Sequence, residues 1–171
     1  MGSRNLLQIK IAQLDDVVGI CEIQANCYEA QYLEQPAAFY SKISKTSATC
    51  WVACLDKRVV AYLICLPVNA ATFRVLNASD FELCQHPSLL YVHDLAVHPQ
   101  YRALGAGLQL INHALNYAKQ HQYQQLGLIS VQDAESYWHK HGFKNSCAIL
   151  HQLEDKLTSF GADAVFMLKP L

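Results

Sequence analysis

The sequence is poor in charge. Asp, Glu, Lys and Arg make up 16% of its 171 residues, the formal net charge is -1, and 52% of the residues are apolar. A chain so apolar and so weakly charged folds around a core, which excludes disorder. It also carries no electrostatic footprint for nucleic acid, so no nucleic-acid partner is expected. No apolar run is long enough to span a bilayer. The opening stretch MGSRNLLQIKIAQLDD lacks the charged-then-apolar layout of a secretory leader, so the expectation is no membrane and a cytoplasmic location. The seven cysteines (21, 27, 50, 54, 65, 84 and 147) are odd in number, and none form a Cys-x-x-Cys pair. Reduced thiols fit better than a disulfide framework. Eight histidines are present, yet the only close sets, His139-x-His141 and His93 with His98, lack the helical spacing of a metal motif. No metal is expected. Repeats, low-complexity tracts and linkers are absent, which leaves one domain spanning 1–171.

The informative stretch is Leu89 to Leu108, LLYVHDLAVHPQYRALGAGL. Leu89 to Val97 is rich in residues that fit a buried pleated surface, and Pro99 ends the strand. Leu104, Leu108, Ile111, Leu115 and Ala118 then recur at helical spacing, with Gln109, Asn112, His113, Asn116, Lys119 and Gln120 on the wet side. Between strand and helix lies Arg102-Ala103-Leu104-Gly105-Ala106-Gly107. Two glycines let the backbone come close to a ligand, the helix N-terminus favours an anion, and Arg102 adds positive charge. No Gly-Lys-Ser/Thr follows and a third glycine is missing, so neither common nucleotide fingerprint applies. Glycines that merely ease helix–sheet packing are the other reading of these six residues alone.

Elsewhere, alternation predicts a strand over Leu6 to Ala12. A helix follows Asp15-Asp16, with Val17, Ile20, Ile23 and Cys27 along one side. Tyr28 to Pro36 is a break, and Ala37 to Lys45 a second helix. Thr49 to Leu55 and Val59 to Leu66 form a hairpin turned at Asp56-Lys57-Arg58, with Pro67 as its stop. Val68 to Ser88 is a long connection whose Phe73, Phe81 and Leu83 are expected to pack, over the acceptor site if there is one. Gln125 to Val131 is a strand, Asp133 caps a short helix bearing Tyr137 and Trp138, and strands run from Phe143 to about Leu153 and from Ala164 to Leu168, joined by a loop over 154–162. The order β-α-α-β-β-β-α-β-α-β-β implies a mixed α/β sheet with helices on both faces.

Leu95-Ala96-Val97-His98-Pro99 followed by Arg102-x-x-Gly105-x-Gly107 resembles the acetyl-CoA motif of the GNAT (Gcn5-related N-acetyltransferase) superfamily. Ala134 to Phe143 is similar to that family's Ala-x-x-x-Tyr-x-x-x-Gly-Phe segment. The resemblance implies the GNAT fold, a central, mostly antiparallel, splayed sheet with the pantetheine arm in the split. It implies acetyl-CoA as cosubstrate. Backbone contacts to pantetheine are expected at Leu95, Ala96 and Val97, and pyrophosphate contacts along Arg102, Ala103, Leu104, Gly105, Ala106, Gly107 and Leu108. Lys140 and His139 are expected towards the nucleotide end. It implies acetyl transfer to a primary amine by direct attack. The acceptor is expected to be a small amine received by Tyr28, Glu29, Tyr32 and Glu34, with an N-terminal or lysine acetyltransferase and a catalytically silent acyl-CoA-binding module as alternatives. The oligomer expected is monomer or homodimer.

A protonated amine with a pKa of about 10.4 must lose a proton before attack, and a thiol near 8.5 must regain one. His93 is the leading candidate base and Asp94 its rival. Tyr91-x-His93 also resembles arylalkylamine N-acetyltransferases, with Tyr91 in place of their first histidine. Strict alternation puts Tyr91, His93, Leu95 and Val97 on one face and Val92, Asp94, Ala96 and His98 on the other. Members of the family often carry a bulge in this strand, which shifts that phase. Trp138 stands where the family has its acidic tyrosine. That leaves the adjacent Tyr137, Tyr91 or water to protonate the thiolate, with Tyr137 preferred, and Trp138 to line pantetheine or the core.

Overall fold

The computed structural model describes residues 6–69, 83–148, 154 and 157–171. Its elements are β1 (Gln8–Ile11), α1 (Val17–Cys27), α2 (Pro36–Thr46), β2 (Cys50–Leu55), β3 (Arg58–Val68), β4 (Leu89–Val97), α3 (Ala106–Gln120), β5 (Gln125–Ser130), α4 (Glu135–Lys140), β6 (Lys144–Asn145) and β7 (Val165–Pro170), in the expected order. The sheet runs β1-β2-β3-β4-β5-β7-β6. Every pairing among the described strands is antiparallel except β4 with β5.

Both faces of the sheet centre are covered, which is why β2 and β3 read as apolar runs without alternation. On one face α1 and α2 bring Ile20, Ile23, Phe39 and Ile43 against Val52, Tyr62 and Ile64. On the other, α3 brings Ala106, Leu110, Ile111, Ala114 and Ala118 against Trp51, Ala61, Leu63 and Leu90. The hairpin between β2 and β3 turns at Asp56 and Lys57, both at positive φ (48° and 68°). That is the mirror-image turn whose twist matches its strands.

Several expectations need correction. The buried stripe of α3 starts at Ala106 and not Leu104. Leu104 ends a 3-10 turn over Pro99–Leu104 and is exposed, and Leu108 is exposed at the wall of a cavity. Pro67 does not stop β3, which continues to Val68; the ladder with β2 ends at Ile64, so the missing N–H of Pro67 faces an edge with no strand beside it among the described residues. Asp133 makes no cap for α4. It and Gln132 take left-handed backbone (φ 56° and 51°) to reverse the chain after β5, and Ala134 occupies the cap position. Within 154–162 the described residues Glu154, Leu157 and Thr158 are helical, with Phe160 buried one turn on from Leu157. The strand expected from Phe143 is only Lys144–Asn145 among the described residues, and Leu83, expected to pack, is exposed; Phe73 and Phe81, and the expected strand residues 149–153, lie outside the described residues.

The feature that matters most is in β4. It pairs with β5 only over Leu90–Val92, opposite Leu126–Leu128, yet continues to Val97. Beyond Val92 the two parallel strands part, and the β5-facing backbone groups of β4 lose their ladder. On the other edge, Ile64 pairs with Asp94 and Cys65 with Val92, so His93 is an extra, bulged residue.

Candidate active site

A cavity of about 650 Å³ occupies the split between β4 and β5. Its wall includes Asp94 and Val97 of β4, Arg102 and Gly107 of the following turn and helix, Tyr137 of α4 and Tyr28 after α1.

The loop into α3 has the chemistry that suits an anion. The imidazole Nδ1 of His98 accepts the backbone N–H of Gln100 at 3.3 Å and caps the 3-10 turn. Gly105 then sits at φ 71° and α3 begins, its first-turn N–H groups having no acceptor inside the helix. Gly107 is needed for closeness: a Cβ there would stand 3.0 Å from the Tyr137 hydroxyl and 3.3 Å from Val97 Cγ2. Leu95, Ala96, Val97, Arg102, Gly105, Gly107, Leu108 and Trp138 all contribute to the wall. Ala103, Leu104 and Ala106 do not. The cavity, glycine turn and free helix N–H groups fit a thioester-bearing nucleotide such as acetyl-CoA. Lys140 and His139 are exposed outside this wall, where His139 Nε2 lies 3.0 Å from Asn145 Oδ1.

The bulge decides the acid–base geometry. Without it, Asp94 would face α3; with it, Asp94 turns to the side of α1 and α2, as Tyr91 does. There Tyr62 donates to Asp94 Oδ2 at 2.6 Å, and the Tyr28 hydroxyl lies 2.7 Å from Oδ1 and 2.8 Å from the Leu95 carbonyl. Burial lifts the Asp94 carboxyl to about 6, while the two tyrosine hydroxyls pull it part of the way back. Both phenols are pushed well above their ordinary range, first by burial and then by the charge of Asp94.

The side chain of His93 is fully buried, its Nε2 2.6 Å from Glu34 Oε1. Glu34 Oε2 takes Lys42 Nζ at 2.7 Å, and Lys42 too is fully buried. Burial alone would raise the Glu34 carboxyl, but His93 and Lys42 beside it outweigh burial and hold it at about 2. Gln24 of α1 fastens the Glu34 backbone from both sides, accepting its N–H at 3.0 Å and donating to its carbonyl at 2.7 Å. His93 Nδ1 is buried without a hydrogen-bond partner among the described residues. Tyr28, Tyr32 and Glu34 contribute to the cavity wall as expected, whereas Glu29 is exposed outside it and pairs with Gln31.

Lys42, Gln24 and Tyr62 escaped the sequence reading because they sit inside ordinary helix and strand patterns. Cys27, at the end of the apolar side of α1, also reaches the wall. Its thiol donates to the Val97 carbonyl at 3.2 Å, and burial raises its pKa against the opposing pull of Arg102.

On α4, Trp138 is buried with its ring 5.4 Å from that of Phe143. Tyr137 is the more exposed neighbour and extends its hydroxyl over Gly107. Burial raises the Tyr137 phenol, so it remains protonated at neutral pH. No group of three or more His, Cys, Asp or Glu suited to a metal occurs among the described residues, and no described helix is long and apolar enough to cross a membrane.

A splayed sheet with a glycine turn and a helix N-terminus at the mouth of its split is the architecture of an acyl-CoA-dependent transferase. The chain belongs to the acetyltransferase (GNAT) family, whose profile matches residues 17–143. No curated protein matches the sequence. Among solved structures it is similar to the loading GNATL domain of CurA from Lyngbya majuscula (TM-score 0.77, 12% identity, 97% of this chain and 98% of that one). It is also similar to the ribosomal-protein-S18-alanine N-acetyltransferase of Escherichia coli (0.68, 14%, 96% and 94%). A third is the PaiA N-acetyltransferase of Thermoplasma acidophilum in complex with coenzyme A (0.69, 13%, 97% and 99%). At these identities the likeness is one of fold.

Proposed function

We propose that the protein is an N-acetyltransferase that moves the acetyl group of acetyl-CoA to a small primary amine by direct attack. The observation that carries this reading is a single cavity joining the glycine turn at Arg102–Leu108 to the His93 and Asp94 cluster across the β4–β5 split. The pyrophosphate is received by the first-turn N–H groups of α3 and by Arg102. Unpaired N–H groups of β4 beyond Val92 are directed at the thioester oxygen, where negative charge develops.

In this mechanism Asp94 attracts and orients the ammonium, and His93 takes its proton at Nδ1. The amine nitrogen attacks the thioester carbon, the C–S bond of the tetrahedral adduct breaks, the thiolate leaves with a proton from Tyr137 or water, and the second proton, which the nitrogen sheds as it becomes the amide, restores that donor. Tyr28 and Tyr32 favour an amine carrying an apolar or aromatic arm. The alternative, an acyl-CoA-binding module without turnover, draws on Trp138 in the usual tyrosine position. The deciding experiment is CoA thiol release from acetyl-CoA against a panel of alkyl- and arylalkylamines, amino acids and N-terminal peptides. Turnover with a small amine supports the proposal. Tight acetyl-CoA binding with no acetylated acceptor overturns it in favour of the module.

A further inference from the structure

We propose that Glu34 is a positioning residue for His93, holding its imidazole as the Nε2–H tautomer so that Nδ1 is left as a hydrogen-bond acceptor for an N–H of the acceptor amine. This rests on the transferase reading and adds to it the device that sets the base.

The two ring nitrogens of His93 are in different surroundings. Glu34 carries a carboxylate paired with the ammonium of Lys42, and an ionised carboxylate can only accept hydrogen bonds. Its contact with His93 Nε2 at 2.6 Å therefore requires the proton to sit on Nε2. A neutral ring then has its lone pair on Nδ1, the atom that is buried with no partner among the described residues. An unpaired buried acceptor is destabilising, because it has lost its water partner and gained none. His93 borders the adjoining cavity with its ring fully covered, and a ligand N–H that reaches Nδ1 as the amine enters removes that cost. The amine that must be deprotonated is thus the chemistry that Nδ1 lacks.

Glu34 is itself firmly held. It lies in the segment between α1 and α2, where Gln24 fixes its backbone and Lys42 of α2 fixes its second oxygen. The ring is held from its own strand as well, with Tyr91 edge-on at 5.8 Å between centroids. The titratable and charged groups about it are Glu34 and Lys42 from the helical layer, Tyr28 at the end of α1, Tyr62 on β3, and Tyr91 and Asp94 on β4. Of these, only Glu34 has a described hydrogen bond to the ring. A carboxylate that fixes an imidazole in this way governs which nitrogen is basic without touching the substrate.

The test reads the tautomer directly. Protein labelled with 15N-histidine gives the ring nitrogen shifts of His93, assigned by their loss in His93→Gln and read in ligand-free protein above pH 7. The expected result is a protonated-type Nε2 and a lone-pair-type Nδ1. In Glu34→Gln, whose amide can donate as well as accept, the two tautomers mix, kcat for the amine falls roughly 10- to 100-fold, and the acid limb of its pH profile moves. Glu34→Asp restores the tautomer in part. Should Glu34→Gln fail to fold, the wild-type and Glu34→Asp spectra decide. An Nδ1–H tautomer in the wild type overturns the proposal, as does a Glu34→Gln protein with unchanged tautomer and pH profile. If no amine is acetylated, the transferase reading falls while the spectra still answer for Glu34.

Discussion

His93 Nε2 and Glu34 Oε1 lie 2.6 Å apart across 59 residues of sequence. The contact joins the bulge of β4 to the segment between α1 and α2, and Lys42 completes a buried chain of three charged or titratable groups. Removing the cation strands a carboxylate out of water. Lys42→Met is therefore expected to lose about 3–5 kcal/mol of stability, measured by urea unfolding, and Glu34→Gln/Lys42→Met to recover part of that loss.

Stability at acid pH follows from the same carboxylate. The Glu34 pKa is depressed in the folded chain, so its contribution is present above its unfolded value of about 4.3 and is lost as pH falls towards 2. Between pH 4.5 and 2 the wild type is expected to lose on the order of 3 kcal/mol more than Glu34→Gln. Asp94 acts in the opposite sense. Its pKa is raised to about 6, so its contribution is present below about pH 4 and is lost as pH rises through 6. Asp94→Asn is expected to flatten that second loss in pH-dependent unfolding.

Tyr62 controls how far Asp94 is raised. Its hydroxyl at 2.6 Å stabilises the charged carboxylate. In Tyr62→Phe the carboxyl is expected to titrate above about 6, as read by the 13C shift of the Asp94 side-chain carboxyl. An unmoved or lower value would contradict the assignment of that hydrogen bond.

The two loop glycines should separate stability from binding. At Gly105, φ is 71° and an added Cβ meets nothing within 4 Å, so Gly105→Ala is expected to cost about 1 kcal/mol of stability through backbone strain alone. At Gly107 the Cβ meets the Tyr137 hydroxyl and Val97. Gly107→Ala is expected to weaken CoA binding about tenfold or more in calorimetry, with part of the loss returned by Tyr137→Phe, which removes the nearest atom.

Much of this was legible from sequence because local rules and tertiary demands agree along the central stretch. Leu89–Val97 is a strand with the expected ends, and the turn at Gly105 and Gly107 opens α3 at the mouth of the split. The facing of His93 and Asp94 was not legible from alternation. Period-two counting separates them, and only the pairing of Ile64 with Asp94 and Cys65 with Val92 brings both to the side of α1 and α2. Lys42 reads as a solvated helix position until Glu34 is seen beneath it. Leu104 and Leu108 satisfy the helical period yet are exposed, because the helix starts at Ala106 and the alanines make the closer contact with the sheet.

The measurement closest to the central claim is the pH dependence of kcat/KM for the best amine, in the wild type beside His93→Ala and Asp94→Asn. The account predicts an acid limb in the wild type that is abolished in His93→Ala, with a loss of roughly 10²–10⁴ in rate. Asp94→Asn should keep the limb and mainly raise KM. A limb that survives in His93→Ala and vanishes in Asp94→Asn would make Asp94 the base and contradict the assignment to His93.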